Sequence, residues 1–279
     1  MSASPLPRKL LATLTGLTLV GSAWAAAALS GPAESPQVRP AFASTCIGYC
    51  RHPTNAAKVF RWGNEAWDQE FETGSLVRNW KSNHPRRVGQ QQGMLTLDAT
   101  RHRGTIRTWP GNQAARYGRW EARVRAREFN TRGRHYLYTW ELVPAGGNAR
   151  CGRNRIILGS YRPGDRRARG TVNTLPDHSF TFSRRRDLRS RAWHTYAIEI
   201  TRHRISWFVD TRVVRTERRS AALSGVKYRP EFVMKAVRGA RMRRSYMQMD
   251  WVRYYTLRRP DARSIAARRM HRSTISRRC

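Results

Sequence analysis

The sequence predicts an all-β fold, a two-sheet sandwich or jelly roll, and three observations carry that prediction. Short apolar runs recur from residue 105 to residue 255, separated by Gly, Pro, Asn and Arg. Such spacing is the signature of many short strands joined by turns. Polar and apolar side chains alternate within the runs, as a half-buried strand requires. Helical periodicity is absent from the same stretch.

The N-terminus precedes that pattern. Arg8 and Lys9 lead into LLATLTGLTLVGSAWAAAAL, and Ala23-Trp24-Ala25 has the small-x-small form of a cleavage site. Residues 1–25 are therefore expected to be a secretory signal peptide. An uncleaved anchor is the alternative, since the stretch is just long enough to span a bilayer. Ala41-Phe42-Ala43 is a weaker cleavage site, far past the apolar run. Residues 26–45 are rich in Pro, Ala and Ser and read as a disordered spacer.

The body is expected over residues 46–257, one domain by length. Its clearest strands are TIRTW (105–109), RWEARVRA (119–126), HYLYTWELV (135–143), RIILGSY (155–161) and HSFTF (178–182). HTYAIEI (194–200), ISWFVD (205–210), VVRT (213–216), EFVMKAV (231–237) and MQMDWVRYY (247–255) follow. In RWEARVRA, Trp120, Ala122, Val124 and Ala126 share one face, and Arg119, Glu121, Arg123 and Arg125 the other. In HTYAIEI, Tyr196, Ile198 and Ile200 oppose Thr195, Ala197 and Glu199. Residues 258–279 form a basic tail, expected to be frayed or weakly helical, so that both termini are flexible.

Mean hydropathy is −0.71, low enough to raise the question of disorder. Ten Trp and ten Tyr answer it, because large aromatic side chains bury enough apolar area for a core. The formal charge is +36, nearly all from Arg; losing Arg8 and Lys9 with the leader lowers it by two. Such a field favours polyanions: acidic glycans, cell-wall polyanions, nucleic acid or membrane surfaces. The arginines are spread along the chain, which also fits solvated outer strand faces. Cys46, Cys50, Cys151 and Cys279 suggest disulfides outside the cytoplasm, with three connectivities open. Cys46, Cys50 and His52 could form half a metal site, but a disulfide is the better reading, and no metal or other cofactor is expected.

Several stretches resemble glycoside hydrolase family 16. YGRWEARVRA (117–126) is similar to a strand near the middle of that domain. WHTYAIEITRHRISWFVDTRVVRT (193–216) resembles its later hairpin, with Asp210-Thr211 where Asp-Gly is usual. MQMDWVRYYTL (247–257) resembles the closing strand, while EFETGSLVRNW and GMLTLDA look like the domain's opening. The likeness covers about residues 66–257. It implies a concanavalin-like jelly roll of two curved antiparallel sheets, with a glycan cleft on the concave face.

The family carries a Glu-x-Asp-x-x-Glu strand in the interval that RIILGSY occupies. Its chemistry needs two carboxylates about 5 Å apart for retention, one attacking the anomeric carbon and one protonating the leaving oxygen. Alternate strand residues share a face, and a bulge lets the third acid join them. Aligning Tyr161 with the aromatic that follows the motif puts Arg155, Ile157 and Ser160 in the three slots. A shift by one gives Asn154, Ile156 and Gly159, and no Asp or Glu occurs from Leu142 through Gly164. Asn173 stands where the family's following His would be. Serine is far too weakly acidic to replace the general acid.

No catalytic residue is therefore assigned. Glu121, Glu199 and Asp250 read as structural, and Glu141 is the one acid that could face the cleft, there to pair with Arg155. The expected function is a secreted, extracellular glycan-binding protein, monomeric, with no membrane span once the leader is removed. Tyr138 and Trp140 are the expected stacking platforms, with Tyr161 beside the motif. Arg155, Ser160 and Asn173 would bind hydroxyl or acidic groups, and His178 would line the rim. The partner is a polysaccharide, with acidic glycans and cell-wall polyanions included by the charge. The alternatives are an active endo-β-glucanase with displaced acids and a lyase on an acidic polysaccharide. Specific nucleic-acid binding is not expected, because no known module is present.

Overall fold

The computed structural model describes residues 55–72, 79–101, 104–146, 155–161, 165–174, 178–188, 192–258 and 275–276, with 155–161 and 275–276 described by backbone alone. All of them fall in one compact unit, Arg51–Cys279. The leader, the spacer and the four cysteines lie outside the described residues.

One helical turn, α1 (Ala56–Val59), precedes the strands β1 (Trp67–Gln69), β2 (Trp80–Ser82), β3 (Val88–Gln91), β4 (Met94–Asp98) and β5 (Ile106–Pro110). Next come β6 (Gly118–Glu128), β7 (Leu137–Pro144), β8 (Arg155–Tyr161), β9 (Arg167–Thr174), β10 (His178–Arg185) and β11 (His194–Ile200). The last are β12 (Ile205–Val209), β13 (Arg212–Glu217), β14 (Tyr228–Lys235), β15 (Ser245–Tyr255) and β16 (Ile275–Ser276). Two antiparallel sheets result. Sheet A runs β13-β12-β11-β6-β15-β4-β3, with β1 also on β15, and sheet B runs β16-β10-β9-β8-β7-β14-β5-β2. This is the all-β, two-sheet jelly roll that the alternation predicts.

The core lies between the sheets. Trp120, Ala122, Val124 and Ala126 of β6 are all at most 2% exposed, as their shared face requires. Sheet B answers with Tyr138, Trp140 and Leu142 of β7, Val172 of β9, Phe180 of β10, and Phe232 and Met234 of β14. In β11 both faces are buried, because α1 and its following turn lie over the outer face of sheet A. Phe60 and Trp62 pack there on Ala197, Phe208 and Tyr255, with the Trp62 ring edge-on to Phe208 at 5.3 Å.

Two elements go beyond the sequence expectation. β9 is a full strand whose core positions are small: Ala168 and Gly170 alternate with Arg167 and Arg169. Gly170 sits opposite Phe182, and a methyl group there would run into the Phe182 ring. The basic tail, expected to fray, returns at β16 to pair with the edge of β10 through Ser179–Ser276 and Phe180–Ile275. At the β12–β13 turn Asp210 supplies the left-handed φ of 54° that such hairpins need, and its carboxylate accepts from the Thr195 amide at 3.1 Å.

The acids read as structural are so. Glu199 and Arg119 form an ion pair at 2.7 Å, with side chains 0% and 2% exposed. Asp250 holds Arg123 at 2.6 Å. Glu121 accepts from the Ala56 amide at 2.6 Å, which fastens α1 to sheet A.

Candidate functional site

The outer face of sheet B is where the registers bring the altered strand. Ile157 pairs with Glu141 on one side and Thr171 on the other, and Arg155 pairs with Asn173. Across β7 the row continues, since Glu141 pairs with Glu231 of β14. The β7–β8 register shifts between Tyr138 and Trp140: Tyr161 pairs with Tyr138 and Leu158 with Trp140. Gly159 and Ser160 thus share the place of one residue. That is the bulge expected between the second and third slots.

The described side chains of this face form a tight polar cluster. Glu231 Oε1 accepts from Arg107 Nη1 at 2.8 Å, and Oε2 accepts from Arg229 Nη2 at 3.5 Å. Glu141 Oε1 accepts from the Thr139 hydroxyl at 2.9 Å. Glu141 and Glu231 are 2% and 4% exposed. Val143 and Val233 are buried on the same face, outside the main core. Arg229 lies over the Trp109 ring at 4.7 Å, and burial lowers its guanidinium pKa against the opposing pull of Glu231.

Trp109 is the residue that the sequence reading missed. It is half-buried on β5, sharing a face with Arg107 while Ile106 and Thr108 enter the core. The alternation within TIRTW carried that signal. Trp109, Trp80, Lys81, Ser82 and Pro85 line a half-open cavity of about 410 Å³ at the edge of the sheets, which also touches Val88 and Thr108.

Several expected ligands are placed differently. Tyr138 and Trp140 are 0% and 1% exposed, inside the core between the sheets; Trp140 stacks with Phe232 at 6.4 Å. Neither ring can meet a sugar. The alternation of β7 explains this, because Thr139, Glu141 and Val143 take the outer face. His178 is half-buried in the row of Phe180, 6.3 Å from its ring, on the opposite side from Asn173. Asn173 is on the outer face, half-buried, with its Oδ1 shielded from solvent and unpartnered. The backbone pairs Arg155 of β8 with Asn173, puts Ser160 at the far end of β8 beyond the Leu158–Gly170 pair, and pairs Tyr161 with the core-facing Tyr138.

Chemically the cluster is a clamp. Two guanidinium groups occupy both oxygens of Glu231, and Thr139 occupies one of Glu141. A two-acid hydrolysis needs one carboxylate free to reach the anomeric carbon and one presented to the leaving oxygen. Glu141 and Glu231 are packed at 2% and 4% exposure beneath their partners. No group of His, Cys, Asp and Glu able to hold a metal ion occurs among the described residues.

Comparisons with known proteins agree with the architecture. Residues 168–253 match the family model described as glycosyl hydrolases family 16. The laminarinase catalytic domain from Thermotoga maritima is similar in structure, with a TM-score of 0.53 at 15% identity, over 69% of this chain and 98% of that one. The endo-β-1,3-glucanase from Pyrococcus furiosus gives 0.55 at 12% identity, over 69% and 94%. A non-specific endo-β-1,3(4)-glucanase called SCLam gives 0.53 at 15%, over 70% and 91%. No curated protein matches the chain.

Proposed function

We propose that this chain, which carries the glycosyl hydrolases family 16 scaffold, is a secreted protein that binds β-glucan-type polysaccharide on the outer face of sheet B without cleaving it. One observation carries the reading: the strand at the centre of that face has Arg155, Ile157 and Ser160 in the acid slots, and the nearest acids, Glu141 and Glu231, are sequestered.

The solved relatives are named as laminarinases and endo-glucanases, which supports a β-glucan as ligand. Trp109, not Trp140, is the platform for a pyranose ring, because it alone of the two reaches the surface. Its stacking energy comes from apolar contact with the sugar's C–H face, and Arg229 fixes the ring's orientation from one side. Asn173, with Arg155 and Ser160, supplies hydrogen bonds to hydroxyl groups toward the centre of the sheet. The carbonyl oxygen of the Asn173 amide is desolvated already, so a sugar hydroxyl that reaches it would satisfy it at little further cost.

The leader pattern of residues 1–25 supports secretion. The test of the whole reading is retention by insoluble β-1,3-glucan together with an assay for new reducing ends. Retention without reducing ends supports it. Reducing ends in proportion to added protein would replace it with the hydrolase reading.

A further inference from the structure

We propose that the outer face of sheet A is a second binding surface, for carboxylate-bearing polysaccharide, separate from the face of sheet B. β6 presents Arg123, Arg125 and Arg127 on that face, at alternate positions. Their stems are spaced by roughly 7 Å along the strand. Neutral groups hold two of the three in place. Arg125 donates to Gln248 Oε1 at 2.9 Å and to Met94 Sδ at 3.5 Å, and lies over the Trp193 ring at 4.4 Å. Arg127 lies over Phe129 at 5.4 Å, and Phe129 packs edge-on against Tyr246 at 4.6 Å.

The acids of this face lie nearer its other arginines, and Asp68 of β1 stands opposite Arg253. Asp250 is taken by Arg123 at 2.6 Å, and Glu70 by the neighbouring Arg253 at 2.6 Å. Asp98, opposite Tyr246, accepts from Thr100. Among the described residues no ion pair engages Arg125 or Arg127. Burial first, then the charge of Arg127, lowers the Arg125 pKa against the opposing pull of Asp250, with Arg123 adding a smaller push. Sheet B is the reverse case, since its Arg107 and Arg229 are met by Glu231. A neutral polymer suits that face and an anionic one suits sheet A.

The rings on sheet A favour pendant carboxylates over bases. Arg123 and Arg125 both lie over Trp193, at 5.0 and 4.4 Å, and Arg253 lies over Trp251 at 4.4 Å. Two guanidinium groups cover Trp193, and Trp251 is 7% exposed, so neither ring offers an open face to a nucleobase. Arg125 keeps its Nη1 for a carboxylate, since its contacts with Gln248 and Met94 use Nε and Nη2, and Arg127 has no ion-pair partner among the described residues. The α1 turn covers the other end of the same sheet around Phe208 and Tyr255, which bounds the surface.

The test uses the whole secreted chain with polygalacturonate, laminarin and duplex DNA as separate probes. The double substitution Arg125→Gln with Arg127→Gln should weaken polygalacturonate binding about tenfold, the cost of losing charge-assisted contacts. It should leave laminarin retention unchanged. Trp109→Ala should do the opposite. A second double variant, Arg125→Lys with Arg127→Lys, keeps the charge and the fold while removing the planar grip, and should also lose affinity. Polygalacturonate binding that survives both double variants, or that never exceeds binding to DNA, would overturn the proposal. A parent chain that binds polygalacturonate but is never retained by laminarin would sink the reading of sheet B and leave this one standing.

Discussion

Glu141 of β7 and Glu231 of β14 stand directly opposite one another on the outer face of sheet B. Two carboxylates on adjacent strands are close enough to share one ligand, and cross-strand neighbours of like charge repel. The structure resolves the repulsion by giving Glu231 to Arg107 and Arg229 and one oxygen of Glu141 to Thr139. The pair is thus a polar tie between β5, β7 and β14, next to β8, which carries no Asp or Glu.

That tie has a measurable strength. Glu231→Ala should destabilise the fold by about 1–3 kcal/mol, because it leaves partly buried guanidinium groups without an acceptor. The Arg107 side chain is 31% exposed and regains some water, which holds the loss to that range. Urea denaturation of the variant checks it, and an unchanged midpoint would mean that the clamp contributes nothing.

Trp140 and Trp109 should behave oppositely. Trp140→Ala opens a cavity in the core and should cost about 3–5 kcal/mol of stability. Trp109→Ala should leave the denaturation midpoint nearly in place and reduce laminarin retention. Retention lost through Trp140→Ala in a fully folded variant would return the platform to β7.

The α1 contact should respond to pH. Burial pushes the Glu121 carboxyl up to about 8 from its ordinary 4.5, although the Ala56 and Ala57 amides donate to it. Between those values the native state holds a proton that the unfolded chain has released. The contribution of Glu121 to stability is therefore whole below pH 4.5 and is lost as pH rises through about 8. Glu121→Gln, which still accepts from Ala56, should flatten the slope of stability between about pH 5 and pH 8. Denaturation midpoints across that range check this; parallel declines in parent and variant would contradict it.

Gly170 is needed for contact, not for an unusual backbone angle. Gly170→Ala should cost about 1–3 kcal/mol, since the added methyl strikes the Phe182 ring within a packed sheet. A thermal melt measures it, and Phe182→Leu in the same chain should recover part of the loss.

The strands were legible where both faces had a clear polarity, as in β6, β11 and β15. β9 was not, because Ala168 and Gly170 give its core face too little apolar signal, and the bulk there comes from Phe182 on the next strand. That β8 holds no Asp or Glu was readable from residue types alone. The platform was not: YTW drew attention to Tyr138 and Trp140, whereas period-two alternation through Thr139, Glu141 and Val143 turns both rings inward. The pairing of Glu141 with Glu231 joins residues ninety positions apart, and no local pattern encodes that register.

Hydrolysis of laminarin by the secreted chain is the most direct test of the central claim. The expected result is retention on laminarin with no reducing ends released above a protein-free control. Release that rises with protein concentration and disappears in Glu141→Gln would show that the acids of β7 and β14 do the work, and would contradict the account.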